Sequence, residues 1–155
     1  PLLLQVFLIY TGFAQLGFVM EAVPAGITAL SLCYGAYMAE IFRAGILGVP
    51  HGQREAAKAL GVPDGLIFRK IVFPQAMRLI VPPTGNQFIA MLKDSSLISV
   101  VGVWELTRTA QILGKRDFQV FEFLVAAAVI YWIMSVVFEV VQSRIEIHYG
   151  KGHRR

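Results

Sequence analysis

The sequence contains little charge and almost no cysteine. Asp, Glu, Lys and Arg make up only 15% of its 155 residues, whereas soluble domains carry about 25%. Cys33 is the single cysteine, so a disulfide-stabilised scaffold is excluded, and the hydrophobic content of 56% excludes a disordered chain. Apolar runs alternate with short basic segments, which predicts a chain built to span a membrane.

The apolar pattern predicts an all-α integral membrane fold with about four spans, forming a single transmembrane domain over residues 1–155. About 20 apolar residues in a helix cross the ~30 Å hydrocarbon core. The sequence begins at Pro1 with an apolar run and no leader, so we expect a fragment that lacks one or more upstream spans. The four predicted spans are residues 1–18, 25–49, 79–92 and 123–138.

The third predicted span is short and irregular. It contains Pro82, Pro83 and Gly85, and proline lacks the backbone N–H that an α-helix uses. A broken helix survives at membrane depth only where protein covers it or where it lines a cavity. We therefore expect a broken helix here. Residues 93–117 are expected to dip toward the membrane or to lie at its outer face.

The distribution of basic residues predicts the orientation of the chain. The loop of residues 50–78 and the tail of residues 144–155 together hold nine Lys and Arg, and residues 93–117 hold four. By the positive-inside rule, the loop and the tail face the cytoplasm. These basic residues form no stripe interleaved with aromatics, so nucleic acid is not an expected partner.

The cytoplasmic loop opens with a short helix predicted over residues 53–60. Glu55 is expected in its first turn, where the helix dipole favours an anion, and Gly61 is expected to end it in the left-handed conformation. The predicted surface combines small residues with a cationic edge and suits a groove on another protein. The small residues are Ala56, Ala57 and Ala59, and the edge is Arg54 and Lys58. An ordinary linker between spans is an equally weighted interpretation.

The same loop carries a recognisable spacing of residues. Glu-Ala-Ala is followed by three residues and Gly, then by nine residues and Ile, then by two residues and Pro. This arrangement resembles the signature loop of bacterial ABC import permeases, in which Leu usually precedes the final Pro and this chain has Phe73. The matching positions are Glu55, Ala56, Ala57, Gly61, Ile71 and Pro74.

Two flanking segments narrow the resemblance to the polar amino acid branch of these permeases. They are residues 35–46 (GAYMAEIFRAGI) and residues 92–97 (LKDSSL). The resemblance implies a type I importer helical bundle in the inner membrane, with the loop helix coupled to an ATPase subunit. It also implies a second permease chain, an extracytoplasmic solute-binding protein and a polar amino acid as solute. The chain has no phosphate-binding loop, so no cofactor and no ATP hydrolysis of its own are expected.

Glu40 and Arg43 are the two charges within the second predicted span. A charge at membrane depth costs about 2.5–3.5 kcal/mol on insertion scales and is rarely placed against lipid. One interpretation puts Glu40 on the solute path. The other, which we weigh somewhat higher, makes it a structural partner of Arg43.

A polar cluster follows the third predicted span. Lys93 and Asp94 offer a charge of each sign, and Ser95 and Ser96 offer hydroxyls. A zwitterionic amino acid presents the complementary ammonium and carboxylate, so these four residues are predicted to line the solute path. The other interpretation is a solvated ion pair between Lys93 and Asp94, worth about 0–1 kcal/mol.

Catalysis has no support in the sequence. The three histidines lack metal-ligand spacing, and no nucleophile or carboxylate pair stands out, so we expect neither catalytic residues nor a metal. Two other functions stay open on the residues alone. One is a membrane anchor for a cytoplasmic enzyme complex, and the other is a secondary transporter, although no inverted repeat is evident.

Overall fold

A computed structural model describes residues 1–150, and every regular element in that part of the chain is helical. The end of the basic tail, residues 151–155, lies outside the described residues. Helix α1 contains one wider turn, Leu8–Gly12. The helices are α1 (Leu2–Gln15), α2 (Ala22–Leu47), α3 (His51–Ala59), α4 (Asp64–Ile67), α5 (Phe73–Asp94), α6 (Leu106–Arg116) and α7 (Val120–Gly150).

Two of these helices are long and apolar enough to cross a bilayer. Helix α2 has 26 residues, and an 18-residue window in it has a mean hydropathy of 1.3. The stretch Val120–Ile147 of α7 has 28 residues, and an 18-residue window in it has a mean hydropathy of 2.3. They coincide with the second and fourth predicted spans. The first predicted span corresponds to α1, a shorter apolar helix. The third lies within α5, whose 22 residues include two prolines and end in Lys93 and Asp94.

The described chain forms two compact units. The first contains residues 1–36 and 88–138. Its core joins one face of α1 to the start of α2 and to the segment before α6, through buried apolar residues. These are Leu2, Val6, Ile9, Ala25, Ala29, Tyr34, Val101 and Val103. The alanines let α2 approach its neighbours closely, as small residues do at helix contacts in membranes.

The second unit contains residues 37–87 and the described residues from 139 onward. Its core is built around the short helices α3 and α4 and the first half of α5. The buried members are Val49, Ala57, Ile67, Val72, Ala76 and Ile80. The loop predicted to be aqueous therefore has an apolar core of its own.

The prediction of a broken third span is wrong. Pro82 and Pro83 both lie inside the continuous helix α5. Proline has a backbone φ suited to a helix, and in membrane proteins a neighbouring helix can supply hydrogen bonds to backbone groups near it. The carbonyls that lose a helical donor are those of Arg78 and Leu79, four residues before each proline, and α5 tolerates this loss. Gln142 of α7 contacts the same region, because its side-chain amide donates to the carbonyl oxygen of Pro82 at 3.0 Å.

The predicted loop of residues 50–78 also needs correction. Within this predicted loop, only α3 and the turn after it are separate from the long helical run that follows. From Asp64 the chain is helical without interruption through α4, the wider turn Phe68–Val72 and α5. The second half of the predicted loop therefore continues directly into α5.

Gly45 allows the close contact between α2 and α5 in the second unit. A Cβ atom at this position would overlap Ile80 Cγ1 and would lie 3.4 Å from the carbonyl oxygen of Ala76. Gly45→Ala should therefore destabilise the protein by about 1–3 kcal/mol, as overpacking does. Gly35 of the same helix is the matched control, because no atom lies within 4 Å of its Cβ position.

Gly35→Ala should be neutral or stabilising by up to about 1 kcal/mol, because Ala favours a helix over Gly. The unfolding temperatures of the two variants in detergent test this pair. Equal shifts in unfolding temperature for the two variants would show that the helix contact at Gly45 can accommodate a methyl group without loss of stability.

Candidate functional site

Helix α3 ends in a well-defined stop. Gly61 has a φ of +74°, which confirms the predicted left-handed conformation. Its N–H donates to the carbonyl of Lys58 at 2.9 Å, and the N–H of Val62 donates to that of Ala57 at 3.1 Å. These two bonds form the Schellman arrangement, which usually includes an apolar contact across the turn. Ala57 and Val62 both belong to the core of the second unit.

The small residues of α3 face two ways. Ala57 is 5% exposed and packs in the core, whereas Ala56 and Ala59 are exposed. The prediction of three outward alanines is therefore wrong for Ala57. Its burial anchors α3 to the second unit and leaves Ala56 and Ala59 on the open surface.

The predicted cationic edge is already paired within the chain. An Arg54 guanidinium N–H donates to the carbonyl oxygen of Ile46 at 2.7 Å, near the C-terminus of α2, where a cation is favourable. Lys58 forms an ion pair with Asp64 at 3.1 Å across the Gly61 turn. Arg54 is half-buried and braces α3 on the end of α2, so the predicted cationic edge is wrong for this residue. Lys58 stays exposed, and its surface pair with Asp64 contributes little to stability.

The remaining signature residues occupy different environments. Glu55 is exposed and lies in the second turn of α3, because the helix begins at His51. Its predicted place in the first turn is therefore wrong. Ile71 is half-buried and packs on the core of the second unit. Pro74 is exposed in the first turn of α5.

Asp94 is the last residue of α5 and is half-buried in the first unit. Its Oδ2 accepts a hydrogen bond of 2.7 Å from the hydroxyl of Tyr34, which is 6% exposed. Asp94 also directly precedes the short tight helix Ser95–Val101, into which α5 continues without a gap. The Tyr34 hydroxyl therefore orients one carboxylate oxygen at the junction of these two helices.

The neighbours of Asp94 do not form the solvated ion pair considered from the sequence. Among the described residues, the ion pairs are Glu40–Arg43, Lys58–Asp64 and Arg116–Asp117. Lys93 is exposed, and Ser96 is half-buried. The Ser95 hydroxyl donates to the carbonyl oxygen of Leu92 at 2.7 Å.

Glu40 and Arg43 pair as the structural interpretation predicted. The Arg43 Nε–H donates to Glu40 Oε2 at 2.8 Å, and a second guanidinium nitrogen contacts the other carboxylate oxygen. Both side chains are about 60% exposed, so at membrane depth they must face protein or water. Glu40 also lines a groove of about 350 Å³ with Ile41, Ala44, Gly45, Leu79 and Pro83.

Residues 102–117 contain polar contacts that the sequence did not reveal. Glu105 caps α6 and accepts the hydroxyl of Tyr131 at 2.8 Å. At the other end of α6, the hydrogen bonds from Arg116 lower the pKa of the Asp117 carboxyl. That pair is exposed, and exposed pairs contribute little to stability. Glutamate is an uncommon helix cap. The only sequence signal for the capping role of Glu105 is therefore its position directly before a helical segment.

Two membrane-length helices and an exposed, sharply terminated short helix are the features expected of a membrane protein that docks a partner. The family described as "Binding-protein-dependent transport system inner membrane component" matches residues 1–149, and the chain belongs to this family.

Curated relatives are amino-acid permeases. The chain is 38% identical to the "Probable amino-acid permease protein YxeN" of Bacillus subtilis, over 99% of this chain and 70% of that protein. It is 41% identical to the "L-cystine transport system permease protein TcyB" of the same organism, over 94% of this chain and 63% of that protein. The chain thus spans about two thirds of the length of these relatives.

A solved structure described as "Crystal structure of an amino acid ABC transporter with histidines" has the same fold. The TM-score is 0.90 at 42% identity, over 96% of this chain and 69% of the other. The predicted all-α permease fold and the resemblance to amino-acid ABC importers are confirmed. The membrane-anchor and secondary-transporter alternatives find no support among these relatives.

Proposed function

We propose that this chain is the membrane-spanning permease subunit of an ATP-driven importer for polar amino acids. It pairs with a second permease chain and receives solute from an extracytoplasmic binding protein. ATP hydrolysis belongs to a separate ATPase subunit, and this chain makes and breaks no bond. The names of the relatives support the solute class.

The main support for this proposal is the way in which α3 is fixed to the rest of the second unit. Three contacts fix the helix to the second unit: the Gly61 turn, the buried Ala57 and the bond from Arg54 to Ile46. The helix is only nine residues long, too short to be stable alone. A short helix braced in this way can transmit a push from a docked ATPase, whereas a loose linker would absorb it.

The same helix leaves a surface for the partner. Glu55, Ala56 and Ala59 are exposed on α3, and Leu60, directly after it, is 82% exposed. Small and apolar groups allow close approach, and Glu55 adds a charge that a basic group on the ATPase can meet. The positive-inside rule supports a cytoplasmic location for this surface and for the C-terminus.

Asp94 is the residue best suited to meet the solute ammonium. Its half-buried carboxyl group is oriented by the hydroxyl of Tyr34, and a solute ammonium could donate hydrogen bonds to it. Lys93, Ser95 and Ser96 complete the proposed polar cluster, and Lys93 offers a cation for the solute carboxylate. Glu40 is the remaining proposed path residue, because it lines the groove in the second unit.

A crosslinking experiment tests the docking proposal. Cysteine at Ala56, in a Cys33→Ser permease, should form a crosslink to the ATPase subunit with a short bifunctional reagent in intact complexes. Cysteine at Ala57 is the matched control, because that side chain faces the core and should not react. Equal crosslinking at both positions, or none at Ala56 in complexes that hydrolyse ATP, would contradict docking on this face.

A further inference from the structure

The turn between α6 and α7 contains a residue in a strained conformation. Phe118 has a φ of +57°, in the left-handed region that is an outlier for bulky residues. The other residues with a positive φ in the described part of the chain are Gly17, Gly61 and Gly102. Glycine adopts this conformation without steric cost. The chain therefore places a phenylalanine where each of its other left-handed turns has a glycine.

The packing of this turn requires the left-handed conformation at position 118. The N–H of Gln119 donates to the carbonyl oxygen of Gly114 at 2.8 Å. This is the long hydrogen bond of a Schellman helix end, in which the residue before the donor is left-handed. A Cβ atom at Gly114 would lie 2.8 Å from Val120 Cα, so α6 ends in close contact with the start of α7. The strain at Phe118 is thus imposed by the packing of α6 on α7.

No contact within the described part of the chain offsets this strain. Phe118 is 95% exposed, whereas aromatic side chains stabilise a fold by burying a large apolar area. Glycine at this position would relieve the strain and would remove almost no packing. A backbone outlier of this kind points to a function. The phenyl ring therefore has its partner outside this chain.

The position of Phe118 along the chain places it at the surface of the bilayer. It lies two residues before α7, a helix of membrane length. Residues 123–138 of α7 carry no charge, and Glu122 is the last charged residue before them, so the hydrocarbon core begins close to Glu122. Phe118 precedes Glu122 by about one helical turn of sequence. Its ring is therefore level with the lipid headgroups.

The surface around Phe118 has the composition of a membrane interface. Phe121 is 76% exposed and Val120 is also exposed, so the apolar surface continues from the turn onto α7. Lys115 and Arg116 are exposed directly before the turn. Basic residues beside aromatic ones suit the boundary between headgroups and acyl chains, whereas the same apolar surface is unfavourable in water.

We propose that Phe118 and Phe121 form a lipid-binding site that anchors the α6–α7 turn at the boundary between the headgroups and the acyl chains. The partner is the lipid surface itself, which the two aromatic rings contact. The anchor sets the depth at which α7 begins in the bilayer. This inference goes beyond the proposed function and requires only that α7 spans the membrane.

Spin labels test the site directly. Full-length permease with Cys33→Ser and either Phe118→Cys or Phe121→Cys is labelled in the intact complex, whose other subunits have no accessible cysteine. The complex is reconstituted in vesicles of phosphatidylethanolamine and phosphatidylglycerol. Collision of the label with oxygen reports acyl chains, and collision with a polar nickel chelate reports water. Lys115→Cys is the matched control, because Lys115 is exposed and charged in the last turn of α6.

The ratio of oxygen to nickel collisions should be about threefold to tenfold higher at positions 118 and 121 than at position 115, because a polar chelate is excluded from the acyl region. Equal ratios at all these positions would place Phe118 in water and overturn the proposal. Protection from both reagents at position 118 would indicate a contact with protein, such as the binding protein or a second permease chain. That result would overturn the proposal as well.

A second variant tests the anchoring role. Phe118→Asn suits the left-handed conformation but replaces the ring by a polar group. With the label at position 121, it should raise nickel collisions by about twofold, because the start of α7 loses an apolar contact with the acyl region. Gln119→Asn is the matched control, since Gln119 is exposed and polar, and it should change nothing. Unchanged nickel collisions in Phe118→Asn would show that Phe118 anchors nothing.

Discussion

A Gly61→Val permease is expected to reach the membrane in normal amounts and to lose ATP-driven uptake almost completely. Gly61 has a φ of +74°, a conformation that is a genuine outlier for β-branched residues. No atom lies within 4 Å of its Cβ position, so the penalty comes from the backbone alone. The turn would have to change its geometry, which would alter the angle between α3 and the helical run that begins at Asp64.

A graded series at this position sharpens the prediction. Gly61→Asn should keep most of the uptake, because Asn tolerates the left-handed region. Gly61→Ala should show an uptake between those of the Asn and Val variants, because the left-handed conformation costs Ala about 1–2 kcal/mol. Gly65→Val is the matched control, because Gly65 also has open space around it but lacks a positive φ. Uptake in vesicles and co-purification of the ATPase are measured for each variant. Equal activity across the series would remove the Gly61 turn from the coupling mechanism.

Asp94→Asn should raise the half-saturating solute concentration by about tenfold to a hundredfold. Hydrogen bonds to charged groups contribute about 1.5–3 kcal/mol, and each 1.4 kcal/mol is a factor of ten in affinity. Asn keeps the shape of the side chain and an oxygen that can accept from Tyr34, so the main change is the loss of charge. Assembly with the ATPase should be unaffected, because Asp94 belongs to the first unit and α3 to the second.

Tyr34→Phe is the companion variant. It leaves the carboxylate charged but removes the 2.7 Å hydrogen bond that orients it, so the expected loss of affinity is smaller than in Asp94→Asn. Concentration-dependent uptake and solute-stimulated ATP hydrolysis are measured in complexes of matched composition. Wild-type affinity in Asp94→Asn would assign Asp94 a purely structural role.

The sequence predicted the features that depend on local chemistry. Gly61 directly follows an alanine-rich helical segment and precedes Val62-Pro63, and such a glycine is a strong sign of a left-handed helix end. The spans of α2 and α7 followed from the length and apolar character of their segments. The pairing of Glu40 with Arg43 followed from a spacing of three residues on one helix.

The features that the sequence failed to predict depend on contacts between distant residues. Pro82 and Pro83 indicate a break when only their missing N–H groups are considered, whereas α5 continues through both residues and is contacted there by Gln142, 60 residues further along the chain. The burial of Ala57 and the capping of α2 by Arg54 likewise require the packing of the second unit. The sequence could not identify Tyr34 as the hydrogen-bond partner of Asp94, because 60 residues separate them in the chain.

ATP-dependent uptake by purified complexes in sealed vesicles tests the central claim most directly. The complex contains this permease as a full-length chain with its ATPase subunits, and labelled polar amino acids are supplied with the binding protein outside. We expect accumulation of label that requires both internal ATP and the binding protein. Accumulation driven by an ion gradient without ATP, or ATP hydrolysis with no accumulation of any amino acid, would contradict it.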